Sequence, residues 1–332
     1  MPDFTSVAVI GGGSWGTAIV KMLSGNLENV DWWLRQKDSV DHILKHKHNP
    51  SYLSDVEIDL DHVSPTDDLV AAIKNNDVII LAIPSAFLHD TLEQLDSDAM
   101  KGKVIFSAIK GIVPQKLQIV GEYIHESFNV SYDNIGVITG PCHAEEVALE
   151  KLSYLTIACQ NTENAEQMAH LLERRFVNTK VSDDIYGTEF AAVLKNVIAI
   201  ASGICNGVGY GDNFQAVLLS NAIREIKRFV DVVHPIDRDI KGSAYLGDLL
   251  VTAYSQFSRN RTFGNMIGKG YSVKSAMMEM NMIAEGYYAV KCVYEINKDL
   301  NVSMPITEAV YHILYEQISP RIEMKLLSDK LD

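Results

Sequence analysis

The sequence is poor in cysteine, with 4 in 332 residues, at Cys142, Cys159, Cys205 and Cys292. No two are spaced C-x-x-C, which removes the usual zinc and thioredoxin-type patterns. Thiols this scattered fit a reducing compartment rather than a disulfide scaffold. Positive charge is also short: Lys plus Arg total 29 against 43 for Asp plus Glu, a formal net charge of −14. A general nucleic-acid or anionic-membrane surface is therefore not expected. An anionic small molecule remains admissible, provided that a few local cations meet it. Met1 to Val9 has neither a basic n-region nor a long apolar core, so no secretory signal is expected and a cytoplasmic location is. The longest apolar stretch, Phe190 to Cys205, carries Lys195 and Asn196 near its centre. It reads as too short and too polar for a membrane span, and no membrane insertion is expected.

What is present is a globular composition, 47% hydrophobic and 22% charged, able to bury a sizeable core. The length suggests about two domains. In the first half, short apolar runs alternate with helical stretches. The runs are Ser6–Ile10, Val30–Leu34, Val78–Ile83, Val104–Ala108, Ile135–Thr139 and Leu155–Cys159. Continuous apolar strands separated by helices such as Thr17–Ser24 and Ala86–Leu95 predict a parallel sheet covered on both faces, a doubly wound α/β domain. From about Thr188 the pattern is helical throughout. The expected architecture is thus a Rossmann-type α/β domain over residues 1–185 and an all-α domain over 186–332, joined at the polar stretch Asp183–Gly187.

Gly11, Gly13 and Gly16 form G-x-G-x-x-G directly after the first strand and at the opening of a helix. In that context the pattern reads as a dinucleotide-binding turn. The glycines permit a tight turn, close approach of a diphosphate and close helix–strand packing, and the helix N-terminus offers N–H groups and a positive dipole end. An NAD site usually places a carboxylate about 20 residues further on. Here the segment from Trp33 to Lys37 carries Arg35 and no acid before Asp38. That favours NADP, or tolerance of both cofactors.

Lys195 is the one charged residue between Phe190 and Cys205. A buried ammonium needs compensation, and burial lowers its pKa toward values useful for proton transfer. Downstream, Asp248 and Thr252 lie four apart and share a helix face. Arg259 suits bidentate phosphate recognition, with Asn260 adding donors. His42, His46 and His48 mimic a metal cluster, but their polar, Lys-rich surroundings read as solvated surface, so no metal is expected. Met277, Met278, Met280 and Met282 read as core packing.

Together these residues resemble the bacterial-type NAD(P)-dependent glycerol-3-phosphate dehydrogenases over nearly the whole chain. The resemblance rests, in order, on Gly11–Ala18, Ala82–Ser85, Ser107–Gly111, Gly140–Ala144, Lys195–Asn196, Gly247–Leu249, Ser258–Asn260 and Ile283–Gly286. It implies interconversion of dihydroxyacetone phosphate and sn-glycerol 3-phosphate by hydride transfer, feeding glycerophospholipid synthesis, in a cytoplasmic homodimer. It implies Lys195 as general acid and base. Lys110, Gly140, Cys142, Asn196, Asp248, Thr252, Ser258, Arg259 and Asn260 would join Lys195 at the substrate. Gly11, Gly13, Ser14, Trp15, Gly16, Arg35, Lys110, Ala144, Arg259, Ile283 and Glu285 would meet the cofactor. The sequence departs from the family pattern at Cys142, where a serine or threonine is usual, and at His143. Dehydrogenases of the 6-phosphogluconate or 3-hydroxyisobutyrate type share the domain plan, but Gly140–Ala144 and Ser258–Asn260 argue against them. A non-catalytic NADP(H) sensor would have no need of Lys110, Lys195 and Asp248 together.

Overall fold

The computed structural model describes residues 4–280 and 284–332. The chain divides into two units. One comprises the residues up to Ile109 together with Val120–Ile185, and the other Lys110–Ile119 with Tyr186–Asp332. The segment 110–119, within the range expected for the first domain, thus clusters with the second.

The first unit holds strands β1 (Val7–Ile10), β2 (Val30–Trp33), β3 (Val63–Thr66), β4 (Val78–Leu81) and β5 (Val104–Ser107). The hairpin strands β6 (Ile112–Val113) and β7 (Gln118–Ile119) of the second unit follow, and then β8 (Ile135–Thr139), β9 (Ser153–Cys159) and β10 (Val177–Ser182) of the first. Its helices are α1 (Ser14–Leu23), α2 (Lys37–His46), α3 (Leu69–Lys74), α4 (Ser85–Leu92), α5 (Val120–Phe128), α6 (Ala144–Ala148) and α7 (Thr162–Leu172). The sheet order is β10-β9-β8-β5-β4-β1-β2-β3. β1 lies between β2 and β4 in parallel register, Val7 opposite both Val30 and Val78. All four residues of β1 and of β4 are buried, as parallel central strands covered on both faces require.

The sheet differs from the wholly parallel one expected. β9 runs antiparallel to β8. A parallel return usually runs back along the sheet as a helix, and the connection from β8 to β9 holds only the five-residue α6, a rise of about 7.5 Å. The β6–β7 hairpin was not foreseen, and the two unforeseen strands of this sheet, β3 and β10, are its two edges. β3 contains Pro65 and β10 is largely exposed, so neither shows an apolar run, and a proline is tolerated at an edge.

The second unit is helical apart from the β6–β7 hairpin. Its helices are α8 (Ile185–Val208), α9 (Asp212–Val233), α10 (Asp248–Tyr254), α11 (Arg259–Gly268), α12 (Val273–Glu279), α13 (Glu285–Leu300), α14 (Pro305–Tyr315) and α15 (Pro320–Ser328). α8 is the core element. It has 24 residues and, by length and composition alone, could cross a membrane, which corrects the expectation that the run was too short. Its apolar window is 83% buried inside the protein, and that burial accounts for its composition.

Helices α8 and α11 meet backbone to backbone along a glycine seam. A Cβ on Gly203 or Gly207 would lie 2.1 or 2.4 Å from the carbonyl oxygens of Arg261 and Asn265, and one on Gly264 or Gly268 would lie 2.1 or 2.4 Å from those of Ile200 and Ile204. The carboxylate of Glu225 on α9 accepts from the N–H groups of Ile306 and Thr307 and from Thr307 Oγ1 at 2.7–2.9 Å. It satisfies the open N-terminus of α14. Burial nevertheless pushes the Glu225 carboxyl up to about 7. The methionine expectation needs correction: Met277 and Met280 pack against the core, but Met278 is 79% exposed, and Met282 lies outside the described residues.

Candidate active site

The first polar constellation is the turn from β1 into α1. Gly11 adopts φ +134°, and a Cβ there would lie 2.4 Å from Ala82 O; one on Gly16 would lie 2.1 Å from Gly11 O. Only glycine permits this backbone conformation and these approaches. The carbonyls of the turn are all engaged. Gly11 O accepts from Trp32 Nε1 at 3.0 Å, Gly12 O from Asn49 Nδ2 at 2.9 Å, and Gly13 O from Thr17 Oγ1 at 3.0 Å. Thr17 N also donates to Gly13 O, at 2.9 Å. α1 then begins at Ser14 and Trp15, with Gly13 as its N-cap residue and no capping side chain.

Beside this turn lies a cavity of about 300 Å³ within the first unit, bounded by Gly11–Gly13, Trp33–Gln36, Ser39, Asn49, Ser51, Tyr52, Ala82–Pro84, Phe87 and Thr91. A Cβ on Gly13 would meet no protein atom within 4 Å. Space is therefore held open where a phosphate can approach main-chain N–H groups, so these residues fit a dinucleotide. The lining includes exposed Arg35 and no carboxylate. Asn49, Ser51 and Tyr52 were not singled out from the sequence. The one local signal was the Asn49–Pro50 dipeptide, a turn marker.

Elsewhere in the first unit, Gly140 has φ +115° and passes close to the β9 backbone, where a Cβ would lie 2.7 Å from Tyr154 O. The Cys142 thiol donates to that same carbonyl at 3.2 Å. Ala144 opens α6 and is buried. The three histidine rings gather at the end of α2, with centroids 4.5, 4.8 and 6.2 Å apart. Among the described residues, no group of three His, Cys, Asp or Glu side chains is arranged to hold a metal ion.

The second constellation is a buried charge cluster in the second unit. Lys195 on α8 donates through Nζ to Asp248 Oδ1, and Asp248 Oδ2 lies 3.6 Å from Lys110 Nζ. Asp248, the first residue of α10, is 1% exposed and Lys195 is 4% exposed. Asn196 Nδ2 donates to Lys110 O at 2.7 Å and ties the hairpin segment to α8. Burial drives the Lys195 ammonium well below the ordinary lysine range, Asp248 opposes that shift and Lys110 reinforces it. Two cations thus share one carboxylate, which leaves a net positive site suited to an anion. Thr252 donates its hydroxyl to Asp248 O at 2.7 Å. Ser258 caps α11 by accepting from Arg261 N, and Arg259 stands exposed in the first turn of that helix. Asn260 Oδ1 accepts from Gly286 N at 2.9 Å, next to Glu285 at the start of α13. Gly286 packs against the Asn196 carbonyl, which a Cβ would approach to 2.6 Å. Asn260 is therefore linked to the Lys195–Asn196 segment. Ile283 lies outside the described residues.

Residues 6–165 match the profile of the NAD-dependent glycerol-3-phosphate dehydrogenase N-terminus, and residues 184–325 match that of its C-terminus. A glycerol-3-phosphate dehydrogenase [NAD(P)+] from Staphylococcus carnosus is 35% identical over 97% of both chains. The chain belongs to the NAD-dependent glycerol-3-phosphate dehydrogenase family. A second glycerol-3-phosphate dehydrogenase, from an Exiguobacterium species, is 37% identical over 97% of this chain and 94% of its own. The crystal structure of glycerol-3-phosphate dehydrogenase from Coxiella burnetii superposes with a TM-score of 0.90 at 28% identity, covering 98% of this chain and 99% of that one. Both parts of this dehydrogenase family are thus represented, one in the range that carries the glycine turn and one in the range that carries Lys195 and Asp248.

Proposed function

We propose that this chain is an NAD(P)-dependent oxidoreductase that interconverts dihydroxyacetone phosphate and sn-glycerol 3-phosphate. The observation that carries the reading is the buried Lys195–Asp248–Lys110 cluster in a member of this dehydrogenase family. Bound NAD(P)H supplies the hydride that reduces the carbonyl carbon. Lys195, as an ammonium, stabilises the negative charge growing on the carbonyl oxygen and delivers a proton to it. In the oxidative direction neutral Lys195 takes the hydroxyl proton. Its lowered pKa makes both forms accessible nearer neutrality than for an ordinary lysine. Asp248 orients Lys195 and balances Lys110, which adds positive potential at the substrate. Arg259 and Asn260 bind the phosphate, with Ser258 fixing the helix that presents them. Asn196, Thr252, Gly140 and Cys142 complete the substrate contacts.

The cofactor is held by Gly11, Gly13, Ser14, Trp15, Gly16, Lys110, Ala144, Arg259, Ile283 and Glu285. Arg35, in a cavity without a carboxylate, gives preference to NADPH over NADH. In this reading residues 1–185 carry most of the nucleotide contacts and 186–332 most of the substrate contacts. The enzyme works as a cytoplasmic homodimer and supplies glycerol 3-phosphate for glycerophospholipid synthesis. The test is oxidation of NADPH and of NADH, followed at 340 nm with dihydroxyacetone phosphate, for the wild type beside Lys195→Met. Turnover by the wild type alone, with cofactor binding retained in the variant, supports both reaction and role. Near-normal kcat in Lys195→Met removes the role of the lysine, and no oxidation despite cofactor binding removes the substrate.

A further inference from the structure

We propose that Asn49 is the positioning residue that gives the glycine turn its polarity, acting through the Gly12 carbonyl; this rests on the reading that the first unit binds NAD(P)H. Of the three successive carbonyls in the turn, two are secured by regular elements. Trp32 of β2 holds Gly11 O, while Thr17 of α1 holds Gly13 O through both its N–H and its hydroxyl. The middle one depends on a side chain from the irregular segment between α2 and β3. Asn49 is 1% exposed, and both ends of its amide are committed. Nδ2 donates to Gly12 O and to Thr17 Oγ1, each at 2.9 Å, while Oδ1 accepts from Ser51 N at 3.0 Å and Tyr52 N at 3.2 Å.

Two peptides of the turn, Gly11–Gly12 and Gly12–Gly13, have no Cβ on either flank and so rotate more freely than others; the carbonyl of the first is held by Trp32 and that of the second by Asn49. The second is trans, so its carbonyl and its N–H point in opposite directions. Holding Gly12 O on Asn49 turns Gly13 N–H to the other side and keeps a carbonyl dipole from facing an incoming phosphate. A flipped peptide would do the reverse, placing a partial negative charge against the diphosphate and withdrawing a donor. Asn49 thereby selects the anion-binding state of the turn without itself needing to touch the ligand. An amide is required: a carboxylate would keep the Ser51 and Tyr52 bonds but lose both donors.

The test compares the wild type with Asn49→Asp, Asn49→Ala and Thr17→Val. Dissociation constants are measured by calorimetry for NADPH, for ADP and for 2′-AMP, which lacks the 5′-diphosphate. The kcat at saturating NADPH and the melting temperature complete the set. Asn49→Asp should weaken NADPH and ADP about 10–100-fold, the worth of one or two bonds in a charge-assisted setting. Its 2′-AMP affinity and its kcat at saturation should stay within about twofold of wild type. Thr17→Val, which removes one of the two acceptors of Asn49 Nδ2 together with the hydroxyl bond to Gly13 O while leaving Thr17 N–H on that carbonyl, should shift NADPH and ADP in the same direction by a smaller factor. Unchanged NADPH and ADP binding in Asn49→Asp and Thr17→Val overturns the proposal. So does equal weakening of ADP and 2′-AMP with a lowered melting temperature, because that is the mark of a general structural role. If Asn49→Asp and Asn49→Ala do not fold, the diphosphate-selective loss in Thr17→Val decides. A wild type that binds neither NADPH nor NADH would remove the underlying cofactor reading instead.

Discussion

In the first unit the cavity beside the glycine turn offers main-chain N–H groups, and Trp32, Asn49 and Thr17 hold the turn's carbonyls aside. In the second unit the proposed reacting group is the ammonium of Lys195, placed on a buried helix beside Asp248, whose carboxylate also faces Lys110. The contrast follows from the task. Recognising a diphosphate needs many fixed dipoles and no proton transfer, which a turn at a helix N-terminus supplies at no cost in buried charge. Moving a proton needs a group whose two protonation states are close in energy, which burial of a charged side chain supplies. The first site should therefore fail by losing affinity, and the second by losing turnover.

The largest expected break is in the charge cluster. Asp248→Asn leaves Lys195 and Lys110 buried or half-buried without their shared carboxylate. It should lower kcat by about a thousandfold or more and destabilise the protein by roughly 3–5 kcal/mol, as removal of one member of a buried pair does. Steady-state kinetics and denaturant unfolding read the two effects separately. The NADPH dissociation constant should change little.

Two glycines three positions apart sharpen the comparison within the first site. Gly16→Ala places a methyl 2.1 Å from Gly11 O and should cost about 1–3 kcal/mol or more in unfolding free energy. Gly13 has φ −79° and open space around a built Cβ, so Gly13→Ala should fold normally. It should weaken NADPH by about tenfold or more, because its methyl stands where the phosphates approach. Thermal unfolding and cofactor titration of the pair should show opposite patterns.

The pH responses should separate in the same way. Reduction needs protonated Lys195, so kcat for dihydroxyacetone phosphate should fall as pH rises through a value well below 10.5, and the reverse reaction should rise through it. Glu225 acts on stability instead. Its folded pKa, about 7, lies above the unfolded value near 4.5. Its contribution is therefore present in full below the unfolded value and is lost as pH rises toward and through 7. Melting curves from pH 4.5 to 8 should show this loss in the wild type, and Glu225→Gln should flatten it. The smallest effect concerns cofactor choice: Arg35→Asp should move the NADPH to NADH preference by about tenfold, read as a ratio of kcat/KM values.

Much of this was legible in the sequence because its signals are local. Central strands such as Val78–Leu81 are continuous apolar runs, and the glycine turn is a fixed spacing between a strand and a helix. Lys195 stood out because a charge in an apolar helix is anomalous. What stayed hidden depends on neighbours far along the chain. β10 is recognisable only by its pairing with β9, and the antiparallel direction of β9 shows only in its pairing with β8. Ser258, Arg259 and Asn260 open a helix, because Ser258 is its N-cap. Asn49 bonds to a turn 37 positions away, and no local pattern marks an asparagine that will hold a remote carbonyl. The joining of Asp248 to Lys195 likewise came from family resemblance, since 53 residues separate them.

The seam of Gly203 and Gly207 against Gly264 and Gly268 has a consequence for how substitutions in this chain are interpreted. A survey of every single replacement would find these four positions as intolerant as Lys195, though none of them carries a polar side chain or reaches a reactant. Their variants would be lost from the soluble fraction, whereas Lys195→Met would remain abundant and inactive. Intolerance alone would enlarge the active site by a full helix crossing, and only measuring the amount of folded protein beside its activity would restore the true boundary.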